Sequence, residues 1–326
     1  MPRNRILALA ALYLALLVVP LGAYVRLSDA GLGCPDWPGC YGKLVGVPEH
    51  PVEQAAAVQA FPDRPVEPAK AWKEMIHRYA AGTLGLLVFA LAGLAWRRQP
   101  AVSAGLVGII VFQALLGMWT VTLLLKPVIV SGHLLGGMTV IALLTLLAMP
   151  DRQPSARRAG PAGALLLARL ALVVVVIQIA LGGWLTSNYA ALACRDFPTC
   201  QGDWVPDMNF GQAFTLVREL GHTGDGGLLS MSALTAIHWA HRLGALLVLL
   251  TVGALALRLA APCWRNWAFA LAATLALQLG LGIVNVLTSL PLALAVAHNF
   301  GAALLLLHVV AVNKRLGEGR RATLVV

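Results

Sequence analysis

The sequence predicts an all-α integral membrane protein with eight transmembrane helices, arranged as two pseudo-symmetric four-helix bundles. Hydrophobic residues make up 59% of the 326 residues and charged residues only 12%, whereas a soluble domain carries about 25% charge. Mean hydropathy is +0.78. This composition excludes disordered, collagen-like and disulfide-dense secreted chains.

Eight windows of the chain are long and apolar enough to span a bilayer, which takes about 20 residues. They are residues 6–25, 76–96, 102–124, 129–149, 163–185, 237–260, 266–288 and 292–312. The first window also resembles a secretory signal, with a basic start and a short apolar run. The internal repeat described below favours a retained helix, because cleavage would remove one member of the repeat.

The distribution of Lys and Arg predicts the orientation, since basic residues concentrate in cytoplasmic loops. With the N-terminus inside, Asp151 and Glu318 are the only acidic residues on the cytoplasmic side. The basic residues of that side are Arg3, Arg5, Arg97, Arg98, Arg152, Arg157, Arg158, Arg258, Arg265, Lys314, Arg315, Arg320 and Arg321. Both termini are therefore predicted to be cytoplasmic, and both long loops periplasmic. The net charge of +10 then reflects basic loops, and no nucleic-acid partner is expected.

The chain repeats itself at an offset of about 160–165 residues, which divides it into halves 1–150 and 151–326. Three motifs recur in the same order: Cys34–Cys40 as Cys194–Cys200, His77-Arg78 as His241-Arg242, and Gln113, Gly117 and His133 as Gln278, Gly282 and His298. Each half has an even number of predicted spans, so both share one orientation. We expect them to be related by an axis along the membrane normal.

Four histidines fall at repeat-related places inside the predicted helices: His77, His133, His241 and His298. Ionisable side chains inside a membrane are costly and mark functional sites. In each half, one histidine comes from the second helix and one from the fourth, at similar depth near the outer end. Such a pair suits ligation of heme iron by two imidazoles. The alternatives are hydrogen-bonded polar pairs or zinc and copper sites, which need three or four convergent ligands.

Arg78 and Arg242 directly follow the histidines of the second and sixth predicted helices. Arginine binds carboxylates through two parallel hydrogen bonds, so these side chains are candidates for binding heme propionates. The alternative is an interfacial arginine that extends to lipid headgroups.

The two halves differ three residues before the His-Arg pair, where Glu74 aligns with His238. Both residues share a helical face with the histidine that follows them. A carboxylate beside a reactive centre can act as a base on water or stabilise positive charge; the alternative is an ordinary glutamate at a helix start. The difference predicts a reaction site in the N-terminal half and a permanent cofactor site in the C-terminal half. The role of His238 stays open.

The cysteines of the two outer loops predict local disulfides, Cys34–Cys40 and Cys194–Cys200, because that side is oxidising. Neither pair has the Cys-x-x-Cys spacing of redox proteins, so a structural role in bracing the loops is favoured. A thiol relay at Cys34 and Cys40 is the alternative. Cys263 is unpaired.

In combination, these residues resemble the heme A synthase family over essentially the whole chain. The matching motifs are Glu74-Met-Ile-His77-Arg78, the outer Cys-x5-Cys loops, His133 in Ser-Gly-His, Ile-His-Trp-Ala-His241-Arg242, and His298 in Ala-His-Asn. The resemblance implies oxidation of the C8 methyl of heme O to a formyl group by successive hydroxylations, with water supplying oxygen. The product would be heme A for aa3-type cytochrome oxidase.

The resemblance also implies roles for individual residues and partners. His241 and His298 would ligate a resident heme b, His77 and His133 would bind the substrate heme O, and Glu74 would be the catalytic carboxylate. Heme O would come from a farnesyltransferase, heme O synthase, in a bacterial inner membrane, and the product would serve cytochrome oxidase assembly. The electron acceptor and a homo-oligomeric state are left open.

Two other classes of protein compete with this interpretation. A diheme b-type electron carrier or quinol oxidoreductase would use the same four histidines without chemistry on a heme. A transporter would show helices interrupted near the midplane by Gly and Pro, and such interruptions are not evident in this sequence.

Overall fold

The computed structural model describes residues 3–97, 100–150 and 160–323, and these ranges form ten α-helices without a β-strand. The helices are α1 Arg3–Leu27, α2 Pro51–Ala60, α3 Pro68–Ala95, α4 Pro100–Thr122, α5 Pro127–Ala148, α6 Ala164–Ser187, α7 Phe210–Ala213, α8 Met231–Arg258, α9 Arg265–Leu287 and α10 Leu292–Thr323. All except α2 and α7 are long and apolar enough to cross a membrane. The eight predicted spans are thereby confirmed.

Some of the charges that predicted the orientation cannot be placed in this fold. Arg98, Asp151, Arg152, Arg157 and Arg158 lie outside the described residues. For Arg3, Arg320 and Arg321, the structure does not describe the side chains. The sidedness of the termini and loops therefore stays a prediction.

Two site-bearing helices begin earlier than hydropathy predicted. Helix α3 begins at Pro68 and α8 at Met231, because polar residues, which lie in the first two turns of α3 and around the His-Arg pair of α8, lower the hydropathy of the windows that include these starts. Proline suits a first helical turn, where its missing N–H leaves no bond unmade. Ser230 caps α8 by accepting a hydrogen bond from the backbone N–H of Ala233 at 3.2 Å.

The eight long helices pack as two rings of four. In the first, α1 and α4 each pack against both α3 and α5; in the second, α6 and α9 each pack against both α8 and α10. The rings meet where α5 contacts α6 and α10, and where α1 contacts α10. Fully buried alanines such as Ala11, Ala15, Ala168 and Ala171 belong to the common core, since small residues let membrane helices approach closely.

The two outer disulfide loops repeat one local structure. The Asp36 carboxylate accepts hydrogen bonds from the backbone N–H groups of Tyr41 and Gly42. Asp196 does the same for Gln201 and Gly202. These bonds lower the pKa of Asp196 to about 2, with the Thr199 hydroxyl bond as the largest cause.

Candidate functional site

The four predicted ligand histidines all line one continuous cavity of about 1600 Å³. Ordinary small-molecule pockets enclose about 300–1,000 Å³, so the cavity has room for a larger ligand or for two. His77 and His133 come from α3 and α5, at opposite corners of the first ring. His241 and His298 occupy α8 and α10, the matching corners of the second ring. In each ring, the histidines therefore come from the two helices that face each other across the bundle interior.

Each of these histidines packs against a glycine of a neighbouring helix. A Cβ atom added at Gly22 would lie 2.8 Å from Cε1 of His77, which is closer than real contacts allow. The same relation joins Gly117 to His133, Gly182 to His241, and Gly282 to His298, with separations of 3.3, 3.1 and 3.1 Å. The sequence marks Gly117 and Gly282 as repeat positions only. The structure shows that they leave room for the imidazole rings.

Three of the four histidines also contact a glutamine four residues before that glycine. The Nε2 group of Gln113 donates to the backbone carbonyl of His133 at 2.7 Å, and that of Gln178 donates to the carbonyl of His241 at 2.9 Å. Gln278 lies 3.2 Å from the ring of His298. Gln178 was missed in the sequence, although the spacing Gln-x-x-x-Gly occurs at all three places.

The rings of His77, His133 and His298 each have a buried Nδ1 atom without a hydrogen-bond partner among the described residues. Buried polar groups in proteins normally have partners. Two histidine side chains that line a large cavity from opposite helices are the donor set of a bis-histidine heme. The residues therefore fit a heme in each half. Within the described part of the chain, no three His, Cys, Asp or Glu side chains cluster as a metal-ion site.

Glu74 is buried, with 4% of its surface exposed, and it lines the same cavity as His77. Its Oε2 atom accepts a hydrogen bond from the backbone N–H of Cys34 at 3.0 Å, and Oε1 accepts one from Arg78 at 2.5 Å. Because α3 begins at Pro68, Glu74 lies in the second turn of the helix. The alternative of an ordinary glutamate at a helix start therefore does not describe this residue.

His238 takes the place of Glu74 in the other half and makes a different contact. It is equally buried, and its Nδ1 atom donates to the backbone carbonyl of Ala190 at 3.1 Å. The C-terminal half thus has an imidazole that is hydrogen-bonded to a backbone carbonyl where the N-terminal half has a carboxylate.

Arg78 and Arg242 both donate to backbone carbonyls of the disulfide loops. Arg78 donates to Asp36 at 2.8 Å and also to Gly39, while Arg242 donates to Asp196 and Thr199, each at 2.7 Å. The guanidinium groups therefore hold the loops against the helices. Nε of Arg242 is buried without a partner among the described residues. Propionate binding by either arginine stays a prediction.

Both predicted disulfides, Cys34–Cys40 and Cys194–Cys200, are present. Cys263 is free and exposed. The Cys34–Cys40 loop lies directly on α3, where its backbone reaches Glu74. A bracing role fits these contacts, and the thiol relay stays a prediction.

A link between the two halves was not anticipated from the sequence. The Arg26 guanidinium donates to the Tyr189 hydroxyl at 2.7 Å and lies 4.2 Å from the centroid of its ring. Arg26 lines the cavity and is 9% exposed. The sequence does not single out Arg26, because its partner lies far away in the chain.

Across the described residues, the fold and site define a multi-span, all-helical membrane protein with two pairs of histidines lining one cavity and one buried carboxylate, Glu74, beside the first pair. The COX15-CtaA family model, described as cytochrome oxidase assembly protein, matches residues 5–310. The chain belongs to this family.

Curated relatives carry a consistent name. The chain is 47% identical to the heme A synthase of Shewanella oneidensis over 93% of both chains. It is 31% identical to that of Halalkalibacterium halodurans over 69% of this chain and 72% of the relative. It is also 28% identical to that of Caulobacter vibrioides over 91% and 90%.

Proposed function

We propose that this protein is a heme A synthase, which oxidises the C8 methyl group of heme O to a formyl group in cytochrome oxidase assembly. The similarity to named heme A synthases over nearly the whole chain supports this function. The structural observation that carries it is the position of Glu74, a buried carboxylate on the same cavity as His77 and His133. A protein that only carried electrons would need no such carboxylate.

The proposed reaction balances with water as the oxygen source. Two hydroxylations convert the methyl group and two water molecules to a geminal diol, releasing four protons and four electrons. The diol then loses one water to give the aldehyde. The four electrons leave to an external electron acceptor.

We assign the substrate to the N-terminal half, residues 1–150. His77 and His133 bind heme O from opposite corners of the first ring of four helices. Gly22 and Gly117 leave space for their imidazole side chains. Glu74 accepts a proton from the attacking water and stabilises positive charge on the substrate. The hydrogen bonds from Arg78 and Cys34 fix the carboxylate in place.

We assign a resident heme b to the C-terminal half, residues 151–326, held by His241 and His298. When bound, this group supplies one-electron transfer. Gln178 and Gln278 position the two histidines through the contacts described above. His238 donates to Ala190 and takes no part in proton transfer in this scheme.

We also propose a bacterial inner membrane with the disulfide loops in the periplasm, since disulfides persist in oxidising compartments. A farnesyltransferase, heme O synthase, supplies the substrate. The two halves are related by an axis along the membrane normal, and both termini are cytoplasmic.

Expression beside a heme O source, followed by chromatography of the extracted hemes, tests the function. The unaltered protein is expected to yield heme A, whereas Glu74→Gln retains bound heme but forms no heme A. If heme O is recovered unchanged from the unaltered protein, the diheme electron carrier becomes the better interpretation. If Glu74→Gln forms heme A at the normal rate, the assigned role of Glu74 is wrong.

A further inference from the structure

The wall of the cavity differs between the halves on the helices that carry His77 and His241. With these histidines aligned, Gly82 corresponds to Leu246 and Gly85 to Leu249. All four positions line the cavity. At these two positions, the wall therefore has glycine in one half and leucine in the other.

The neighbouring helix shows the same replacement. Aligning α4 with α9 on Gln113 and Gln278 places Ala114 opposite Leu279, and both line the cavity. Leu115 is an exception, since its counterpart is Gly280. Leu115 lines the cavity and forms part of the wall beside the small residues.

Local packing does not require these glycines. A Cβ atom at Gly82 would meet nothing within 4 Å, and one at Gly85 would meet only Cγ1 of Ile110 at 3.9 Å. Glycine weakens a helix interior relative to other residues, so its use here without a packing constraint suggests that empty space is needed. Measured along the axis of α3, Gly82 and Gly85 lie roughly 8 and 12 Å from His77.

Beyond the two glycines, the cavity lining on α3 continues onto exposed side chains. Leu86 and Phe89 follow the glycines on α3 and line the cavity, yet they are 72% and 46% exposed. In the other half, Leu246 and Leu249 are 51% and 42% exposed, and the counterpart of Phe89 is Gly253. Gly82, Gly85 and Ala114 therefore leave a gap among the side chains that line the cavity on α3 and α4, and the C-terminal half has leucine side chains at the matching places.

We infer that this gap, formed by Gly82, Gly85 and Ala114, receives the isoprenoid tail of the heme substrate. The inference rests on the proposed function. Heme O carries a long farnesyl-derived tail and heme b carries none, so only the substrate site needs a lateral exit for an apolar chain. The gap is continuous with the cavity that His77 and His133 line. The leucines of the other half would exclude the tail and thereby keep the two hemes in their own sites.

The test fills the gap with the residues of the other half, in the double variant Gly82→Leu and Gly85→Leu. A matched control is Gly93→Leu on the same helix: its Cβ also meets nothing within 4 Å, it also aligns with a leucine, Leu257, and it does not line the cavity. Both variants are expected to fold, with unchanged thermal unfolding and resident heme content.

Purified protein is then titrated with heme O and, separately, with protoheme, which has the same ring without the tail. The double variant is expected to bind heme O at least 10-fold more weakly, with protoheme binding at the N-terminal site unchanged, while the control matches the unaltered protein. Equal binding of heme O by all three proteins would overturn the inference. Equal weakening for both hemes would also overturn it, because the leucines would then obstruct the porphyrin ring.

These binding measurements are independent of turnover. If the unaltered protein makes no heme A but the double variant selectively loses heme O, the proposed function fails and the tail site stands.

Discussion

The Oε2 atom of Glu74 accepts a hydrogen bond from the backbone N–H of Cys34 at 3.0 Å. This contact joins the proposed catalytic carboxylate on α3 to a loop closed by a disulfide. Arg78 strengthens the connection, since it donates both to Glu74 and to the carbonyl of Asp36 in the same loop. The position of the carboxylate therefore depends on the fold of the loop.

Opening the Cys34–Cys40 disulfide is accordingly expected to reduce turnover through Glu74. We predict that the Cys34→Ser and Cys40→Ser double variant forms heme A about 10-fold to 100-fold more slowly, since small displacements of a catalytic group have effects of this size. Resident heme content should not change. Heme chromatography after timed expression measures both quantities.

The corresponding pair in the other half is the control for this prediction. Cys194→Ser with Cys200→Ser leaves Glu74 and its loop intact, so it should slow turnover less than the first pair. Normal heme A formation by the first pair would show that the loop does not position the carboxylate.

Adding one methyl group beside a histidine tests whether the glycine contacts orient the rings. Gly22→Ala is expected to displace His77, because the new Cβ would lie 2.8 Å from Cε1, and overpacking of this kind costs about 1–3 kcal/mol. Heme O binding should weaken while resident heme is retained. Gly182→Ala, beside His241, should instead reduce resident heme. Absorption titrations of the purified variants measure the two effects.

Gly105→Ala provides the control, because its Cβ would meet nothing within 4 Å and the position does not line the cavity. It should behave as the unaltered protein does. If Gly22→Ala and Gly182→Ala lose the same heme, the assignment of one heme to each half is contradicted.

Acid should weaken the second disulfide loop through Asp196. Hydrogen bonds lower the pKa of Asp196 to about 2, whereas an unperturbed aspartate has a pKa of about 3.9. The folded state therefore prefers the ionised form, and its stabilisation is present above about pH 4 and lost as the pH falls toward 2. The contribution is small, because the carboxylate is almost fully exposed to solvent.

Thermal unfolding of the Asp196→Asn variant checks this sign. The difference in Tm from the unaltered protein should be present at pH 5 and shrink as the pH approaches 2. A difference that grows on acidification would refute the prediction.

The spans and histidine pairs could be predicted from the sequence because their signals are local or repeated. Twenty apolar residues mark a span wherever they occur, and the recurrence of His77 and His133 as His241 and His298 identified the pairs. Polar residues early in α3 and around the His-Arg pair of α8 concealed the starts of these helices, since hydropathy windows average over them.

The contacts of the arginines could not be predicted, because they depend on how separate segments fold. Arg78 and Arg242 reach loop carbonyls only after the loops turn through left-handed residues at Tyr41 and Gln201, whose φ angles are 52° and 57°. Arg26 meets Tyr189 from the other half of the chain. No periodicity in the sequence records such a contact.

The central claim is that the two histidine pairs hold different hemes, and heme extraction from paired variants tests it most directly. His133→Ala and His298→Ala are expressed beside a heme O source, and their extracted hemes are separated and quantified. We predict that His298→Ala lacks heme b and unfolds at lower temperature, because a bound cofactor stabilises the native state. His133→Ala should retain heme b but form no heme A. If both variants lose the same heme to the same extent, the division of labour between the halves is contradicted.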